Sequence, residues 1–509
     1  MKRTKTLLAV VLAIVTVFAS ALVAFAADKY TITINNDKTG HTYEAYQIFT
    51  GVLAEKDGKK ILSDIAWGNG ISEEGKTALG DAAAKAESIT DANAFAKEIA
   101  KYLVNPVEST PADGKYTISG LDAGYYLVKD KDNTLDNADD FNTAYIMEVV
   151  ANVEATPKGD KPSLDKQIKH NETNVWGVVG DNQIGDTVEF RTITTVPDTA
   201  EYTEYSYVIH DTMSKGLTSN VKTAENITIK VNDNTVLDAK YYTVAANGNS
   251  FDVSVDILAA VKDGVLAKGD SLYTYYDAVL NAEALIYDEG KQSNTAFLEY
   301  SNNPYDEGKG KTAEKTVYDW TFKMTVNKID GTSKETIDGA KFVLSTDGTI
   351  KVENLNCDEN GVPAVTTGLI GLVKVEGGYR VATKEDAADD VVYVIDAGNA
   401  VIKGLDDTVT YYLYETKAPE GYNILKAPVS FTITATEYGE DGSKTPTVKA
   451  TINGAESNTL KADIENKKGT ELPSTGGIGT TIFYIAGALL VVLAGVFLIT
   501  KKRMNKAER

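Results

Sequence analysis

Short runs in which apolar and polar residues alternate fill most of the chain, separated by clusters of glycine, asparagine, aspartate and proline. Alternation with a period of two puts successive side chains on opposite faces, the pattern of a half-buried β-strand. The runs are rich in threonine, valine, isoleucine and tyrosine, so they predict an all-β chain of tandem β-sandwich domains. Residues 72–105 depart from this. They are alanine-rich with apolar positions at helical spacing, which predicts a helical insertion in the first domain. Two further runs, 7–25 and 481–500, are almost uninterruptedly apolar.

The first apolar run follows Lys2, Arg3 and Lys5 and closes on Ala24, Phe25 and Ala26. A basic start, an apolar stretch and a small-residue cleavage pattern read as a secretory signal peptide over 1–26. The alternative is a retained N-terminal membrane anchor. The second run is long enough to span a bilayer and leads into Lys501, Lys502, Arg503, Lys506 and Arg509. Positive charge marks the cytoplasmic side, so an exported chain with this tail is held at the outer face of the cell. A transient transmembrane helix is expected there.

Composition narrows the rest. The formal net charge is −22 and apolar residues make up 43% of the chain, which gives real cores and argues against nucleic acid as a partner. Exported proteins commonly use disulfides, but Cys357 is the chain's single cysteine. Covalent stiffening within the chain therefore needs other chemistry. Turn-forming clusters at 156–162, 302–311 and 467–471 divide the exported part into domains at 27–157, 158–317 and 318–467, with 468–509 as the tail.

Just before the second apolar run stand Leu472, Pro473, Ser474, Thr475 and Gly476. Motif, apolar span and basic tail in that order resemble the LPXTG sorting signal read by sortases. The resemblance implies that a transpeptidase thiolate attacks the Thr475 carbonyl, releases the piece beginning at Gly476 and passes the acyl group to an amine. Pro473 fixes a bend in the linker and Gly476 leaves the scissile bond unobstructed.

Motifs in the body extend the resemblance over nearly the whole chain. They are YEAYQIFTG from Tyr43, GLDAGYYLV from Gly120, IGDTVEFRTITTVP from Ile184, HDTMSKGLT from His210, NTAFLEYSNNP from Asn294, GAKFVL from Gly339 and YYLYETKAPEGYN from Tyr411. Together they are similar to the backbone (major) pilins of Gram-positive sortase-assembled pili, the last motif resembling the pilin E-box. That family implies immunoglobulin-like sandwiches, the last of collagen-adhesin B type, each locked by a spontaneous isopeptide bond from lysine to asparagine with a carboxylic acid assisting. Matched by motif, the middle domain would use Lys166, Asn294 and Asp211, and the last domain Lys328, Asn466 and Glu415. No comparable triplet stands in the first domain.

Strand parity tests these residues. Lys328 ends the series Trp320, Phe322, Met324 and Val326; Asn466 follows Leu460, Ala462 and Ile464; Glu415 follows Tyr411 and Leu413. Lys166 sits between Leu164 and Ile168, Asp211 follows Tyr205, Tyr207 and Ile209, and Asn294 precedes Ala296, Leu298 and Tyr300. All of them share the apolar face of their strand. A buried charge costs several kcal/mol unless paired or neutralised, so burial is expected to lower the lysine pKa and raise that of the acid. The neutral amine then attacks the carboxamide, the protonated acid donates to its oxygen, and ammonia leaves. The alternative is a buried salt bridge with an amide neighbour.

A shaft subunit also needs an amine to receive the acyl group of Thr475. In the family this is the lysine of a pilin motif, and VVANVEATPK matches it at Val153, Pro157 and Lys158 while Val149, Ala155 and Thr156 depart from it. Lys158 is thus the expected linking lysine and Lys161 the second choice. The implied partners are pilin-polymerising and housekeeping sortases, identical subunits, minor or tip pilins, peptidoglycan and a host surface or matrix. No cofactor, metal or enzymatic turnover is expected. His41, His170 and His210 are scattered in sequence, Cys357 lacks an adjacent base signature, GKGKT at 308–312 reads as linker, and the acidic stretch 130–140 lacks the EF-hand glycine in register. A monomeric wall-anchored adhesin or minor pilin and a surface hydrolase are the competing readings.

Overall fold

The computed structural model describes residues 29–36, 39–56, 58–131, 144–156, 161–200, 202–303, 308–469 and 478–507. The signal segment, Lys158 and the LPSTG motif lie outside the described residues. Alternation translates directly into sheets. Ser271–Leu280 and Gln292–Ser301 bury alternate residues along their whole length, and Thr187–Thr195 and Val429–Thr436 keep one face inward in the same way, whereas Tyr43–Lys56 and Phe322–Asp330 bury consecutive residues over part of their length.

The first domain pairs a sheet ordered Thr110–Ala112, Lys115–Leu121, Tyr30–Asn35 and Val153–Ala155 with another ordered Lys59–Trp67, Tyr43–Lys56, Gly124–Asp130 and Ala144–Val149. The expected helical segment forms helices Glu73–Leu79, Ala82–Ser88 and Ala92–Ile99. The first two begin at Ser72 and Asp81, whose side chains accept the backbone N–H groups of Gly75 and Ala84. Their apolar faces, with Phe95 stacked on Phe49 at 5.8 Å between centroids, make a core distinct from the one between the two sheets.

In the middle domain one sheet runs Trp176–Gly177, Leu164–Lys169, Thr187–Thr195, Ser271–Leu280, Thr228–Val231 and Thr235–Val236. The facing sheet runs Val179–Asp181, Lys315–Trp320, Gln292–Ser301, Tyr207–Met213, Ser250–Val255 and Tyr242–Asn247. The last domain faces a sheet containing Asn399–Leu405, Phe322–Asp330 and Lys461–Asn466 against one containing Ala340–Ser345, Thr410–Lys417 and Val429–Thr436. Two details differ from the sequence reading. The 317/318 division falls inside Lys315–Trp320, which pairs with Gln292–Ser301 of the middle domain. The segment read as linker contains Lys309–Lys311, a short strand on the same partner, because its backbone satisfies the free edge that Glu299 to Ser301 present.

The middle and last domains share one apolar core that runs from Leu164 to Ile464, whereas the first domain's cores are separate. At the joint, the Ile184 N–H donates to the Gly404 carbonyl at 3.0 Å and the buried Ile184 side chain packs on Gly404. Gly404 has φ of 84°, and a Cβ added there would lie 2.5 Å from Ile184 Cδ1. Both the backbone angle and the space require glycine. The C-terminal helix Ile478–Ala507 contains an 18-residue stretch, Ile485–Lys502, long and apolar enough to cross a membrane.

A Gly404→Ala substitution is expected to destabilise the protein by about 1–3 kcal/mol. In scanning calorimetry it should lower a single transition shared by the middle and last domains and leave that of the first domain in place; two separately shifted transitions would contradict the shared core.

Candidate functional site: two buried lysine, acid and asparagine groups

In the middle domain, Lys166 is the inward residue at the centre of Leu164–Lys169, between Leu164 and Ile168. Asp211 is inward on Tyr207–Met213, and Asn294 is inward on the neighbouring Gln292–Ser301, where it pairs with Met213. The lysine thus reaches from one sheet across to two adjacent strands of the other. Its Nζ lies 2.5 Å from Asp211 Oδ2, and the Tyr276 hydroxyl stands against both, donating to Asp211 Oδ2 at 2.5 Å. Lys166, Asp211 and Asn294 are all buried to within 2% of full burial. The Asn294 amide makes no hydrogen bond of good geometry, but it stands close enough to Asp211 and Tyr276 to pull both of their pKa values down against burial.

Burial pushes the Lys166 amine down and the Asp211 carboxyl up, each partly offset by the other's charge. Burial also carries the Tyr276 phenol well above its ordinary value. Both shifts move the lysine and acid toward neutrality, as desolvation dictates. Tyr276 was not among the residues read from sequence. Its inward parity with Leu272, Thr274, Ala278 and Leu280 was the available signal, since a buried phenol needs a polar partner.

The last domain arranges the same three types differently. Lys328, on Phe322–Asp330, and Asn466, on Lys461–Asn466, stand on adjacent parallel strands of one sheet, and Glu415 reaches them from Thr410–Lys417 in the other. The Lys328 amine donates to Asn466 Oδ1 at 2.7 Å and to the Ile464 carbonyl at 3.0 Å. Asn466 Nδ2 donates to both Glu415 oxygens at 2.9 and 3.1 Å. Glu415 Oε2 also accepts the Leu425 N–H at 2.7 Å, which fixes the carboxyl against the amide. The E-box supplies Glu415, and Leu425 follows two residues beyond its end, so the two bracket the turn through Gly421.

Burial lowers the Lys328 amine to about 8, against the opposing pull of the Glu415 charge. Burial likewise raises the Glu415 carboxyl. With the amide in this orientation the carboxyl faces the nitrogen and not the oxygen. The sequence reading had the acid donating to the carbonyl oxygen. Chemically, the last domain brings an amine with a depressed pKa into contact distance of a carboxamide in a dry pocket, and the middle domain buries both groups around the same Asp211 carboxyl.

Other expected residues fall elsewhere. Lys158 and the residues Leu472 to Gly476 lie outside the described residues, and Lys161 is half-buried. In the first domain no lysine is buried among the described residues; its buried polar groups include His41 and Asp130, 2.7 Å apart. The fold also brings His170, which sequence reading set aside, to 3.3 Å from Asp181.

Comparison with known proteins follows the same division. Residues 322–447 match the SpaA family model, described as a prealbumin-like fold domain, and residues 464–506 match the LPXTG cell wall anchor motif. The trypsin-resistant surface T6 protein of Streptococcus pyogenes serotype M6 is 26% identical over 398 residues, covering 68% of this chain and 70% of that one. Over two thirds of its length the chain is thus similar to a Gram-positive surface protein. The fimbrial subunit type 1 of Actinomyces viscosus is 36% identical over 104 residues, or 20% of this chain and 17% of that one. The solved T6 backbone pilin, described as a modular three-domain structure, superposes with a TM-score of 0.53 at 17% identity, over 88% of this chain and 100% of that one. The chain is therefore an all-β, wall-anchored surface protein with an apolar C-terminal helix behind its sorting motif.

In an Asn466→Ala variant Lys328 remains a free amine. Its folded-state pKa of about 8 lies below the ordinary 10.5, so at pH below 8 folding is opposed by deprotonating or burying the charge. The opposition fades as pH rises from 8 to 10.5, because the unfolded chain then loses the same proton. Denaturant titrations of this variant should show stability rising across that window by on the order of 3 kcal/mol; a flat profile would contradict the depressed pKa.

Proposed function

We propose that the protein is the shaft subunit of a covalently polymerised surface pilus. Each of its last two domains is locked by an isopeptide bond, and subunits are joined head to tail through Thr475 and Lys158. The single observation that carries this reading is the pair of buried groups, Lys166 with Asp211 and Asn294, and Lys328 with Glu415 and Asn466. In each, a neutral lysine amine attacks the asparagine Cγ, forming the amide C–N bond. The Cγ–Nδ2 bond breaks, the acid returns the proton needed, and one ammonia leaves. The positions make mechanical sense. Lys328 and Asn466 sit on the first and last long strands of their domain, so the bond ties its two ends directly together.

Polymerisation needs an amine at the other end of the subunit. Lys158 lies in the stretch between Val153–Ala155, which closes the first domain's sheet beside Tyr30–Asn35, and Leu164–Lys169, which opens the middle domain. A sortase carrying the Thr475 acyl group would deliver it there; the last-added subunit is passed instead to peptidoglycan by a housekeeping sortase. The protein is a substrate and a structural polymer, and the internal crosslinking is single-turnover chemistry. Adhesion to a host surface or matrix follows from display on such a fibre.

The intact mass of the exported domains, residues 27–467 produced without the sorting signal, should fall short of their sequence mass by one ammonia per bond. Lys166→Ala and Lys328→Ala should each restore one, and full mass in the wild type would end the crosslinking reading. Independently, surface extracts boiled in detergent should give a high-mass ladder on blotting. Lys158→Ala should collapse the ladder to monomer while Lys161→Ala keeps it; a monomer band alone in the wild type would favour a singly anchored adhesin.

A further inference from the structure

The joint between the middle and last domains buries an unusual amount of negative charge. Asp181, Asp319, Asp406 and Asp407 are each no more than 3% exposed. Among the described residues their one basic neighbour at ion-pair distance is His170, whose Nε2 lies 3.3 Å from Asp181 Oδ2. Part of the charge is met by hydrogen bonds. Asn182 Nδ2 donates to Asp319 at 2.7 Å, Asn171 Nδ2 to Asp406 at 2.7 Å, and the Ala435 N–H to Asp407 Oδ2 at 3.0 Å. That leaves Asp181 Oδ1, Asp319 Oδ2 and Asp407 Oδ1, all fully buried, and His170 Nδ1 without a hydrogen-bond partner.

Apart from Asp319, these leftover groups are gathered. One ligand atom from each of His170, Glu172, Asp181 and Asp407 lies within 4.8 Å of all the others, and His170 Nδ1 is 3.7 Å from Glu172 Oε2. Four ligands about 2.0–2.2 Å from a common cation in a tetrahedron stand about 3.3–3.6 Å apart, so the widest of these separations closes by at most about 1.5 Å, within reach of side-chain rotation at the half-buried His170 and the exposed Glu172. We propose that His170, Glu172, Asp181 and Asp407 form a divalent-cation site that clamps the middle domain to the last, three ligands coming from one and Asp407 from the other. One imidazole among carboxylates favours a first-row cation such as zinc or manganese over calcium, which takes six or more oxygens. The site is independent of polymerisation and of the isopeptide chemistry.

The test uses the full chain in detergent, stripped with chelator and then given zinc, manganese or calcium separately. Bound metal is measured by mass spectrometry and the heat transition by calorimetry. The expected result is about one zinc or manganese per chain, a raised transition on metal addition, and no binding in Asp181→Asn/Asp407→Asn. His170→Ala, at a half-buried position that tolerates truncation, should weaken binding at least about tenfold while keeping a cooperative transition, and it decides the matter if the double variant does not fold. The proposal is overturned if the stripped wild type takes up no cation at micromolar concentration, if calcium is bound in preference, or if His170→Ala binds as the wild type does.

Discussion

Two lysine amines at the centres of β-sandwich cores are the constraint around which the last two domains are organised. A sandwich core tolerates an inward lysine only if its charge is removed or answered, because each uncompensated buried ion costs several kcal/mol. Lys166 meets Asp211 and Tyr276, and Lys328 meets Asn466 and Glu415. Those partners in turn fix which strands face one another. The acid must come from the opposite sheet in both domains, so each group pins the two layers of its sandwich in register. The apolar residues around each amine, Phe190 and Tyr276 in one domain and Phe342 in the other, keep water out and the amine's pKa depressed.

The two groups reach this end by different geometries. In the middle domain the lysine and asparagine lie on different sheets, so a bond between them would cross the core. In the last domain they lie on adjacent parallel strands, so the bond would reinforce an existing ladder. Only the acid's role is common. Asp211 is clamped by a tyrosine hydroxyl, whereas Glu415 is clamped by the Leu425 N–H, and each clamp holds a carboxyl that burial is driving toward its neutral form.

What sequence could show follows from how far apart the interacting residues are. Strand parity is local, so the inward orientation of Lys166, Asp211, Asn294, Lys328, Glu415 and Asn466 was legible from neighbours two residues away, as was the helical spacing of 72–105. Tyr276 was half legible: its face could be read but its partners, on strands 65 and 110 residues distant, could not. The domain joint was opaque. Asn171 and Asp406 are hydrogen-bonded across 235 residues of chain, and no periodicity in either segment signals the other. The strand Lys315–Trp320 misled the domain division for a related reason. It runs almost without interruption into Phe322–Asp330, and which sheet each half joins is decided by cross-strand pairing that an apolar pattern does not encode.

The uneven distribution of buried lysines has a mechanical reading. In a polymer joined from Thr475 of one subunit to Lys158 of the next, tension enters at Lys158, passes through the middle and last domains, and leaves at Thr475. Residues 29–156 hang outside that path. The two domains on the path hold the buried lysine groups, share a continuous apolar core and meet at a joint where Gly404 and Ile184 interlock. The domain off the path has separate cores and, among its described residues, no buried lysine. Noncovalent packing suffices where no load is carried, since a domain needs only its few kcal/mol of net stability against thermal unfolding. Under sustained force that margin is lost by chain extension, and a covalent tie between the first and last strands of a domain removes the extension itself. In the proposed polymer the place of Lys158 between the first and middle domains thus does more than choose a partner: it decides which domains need to be tied.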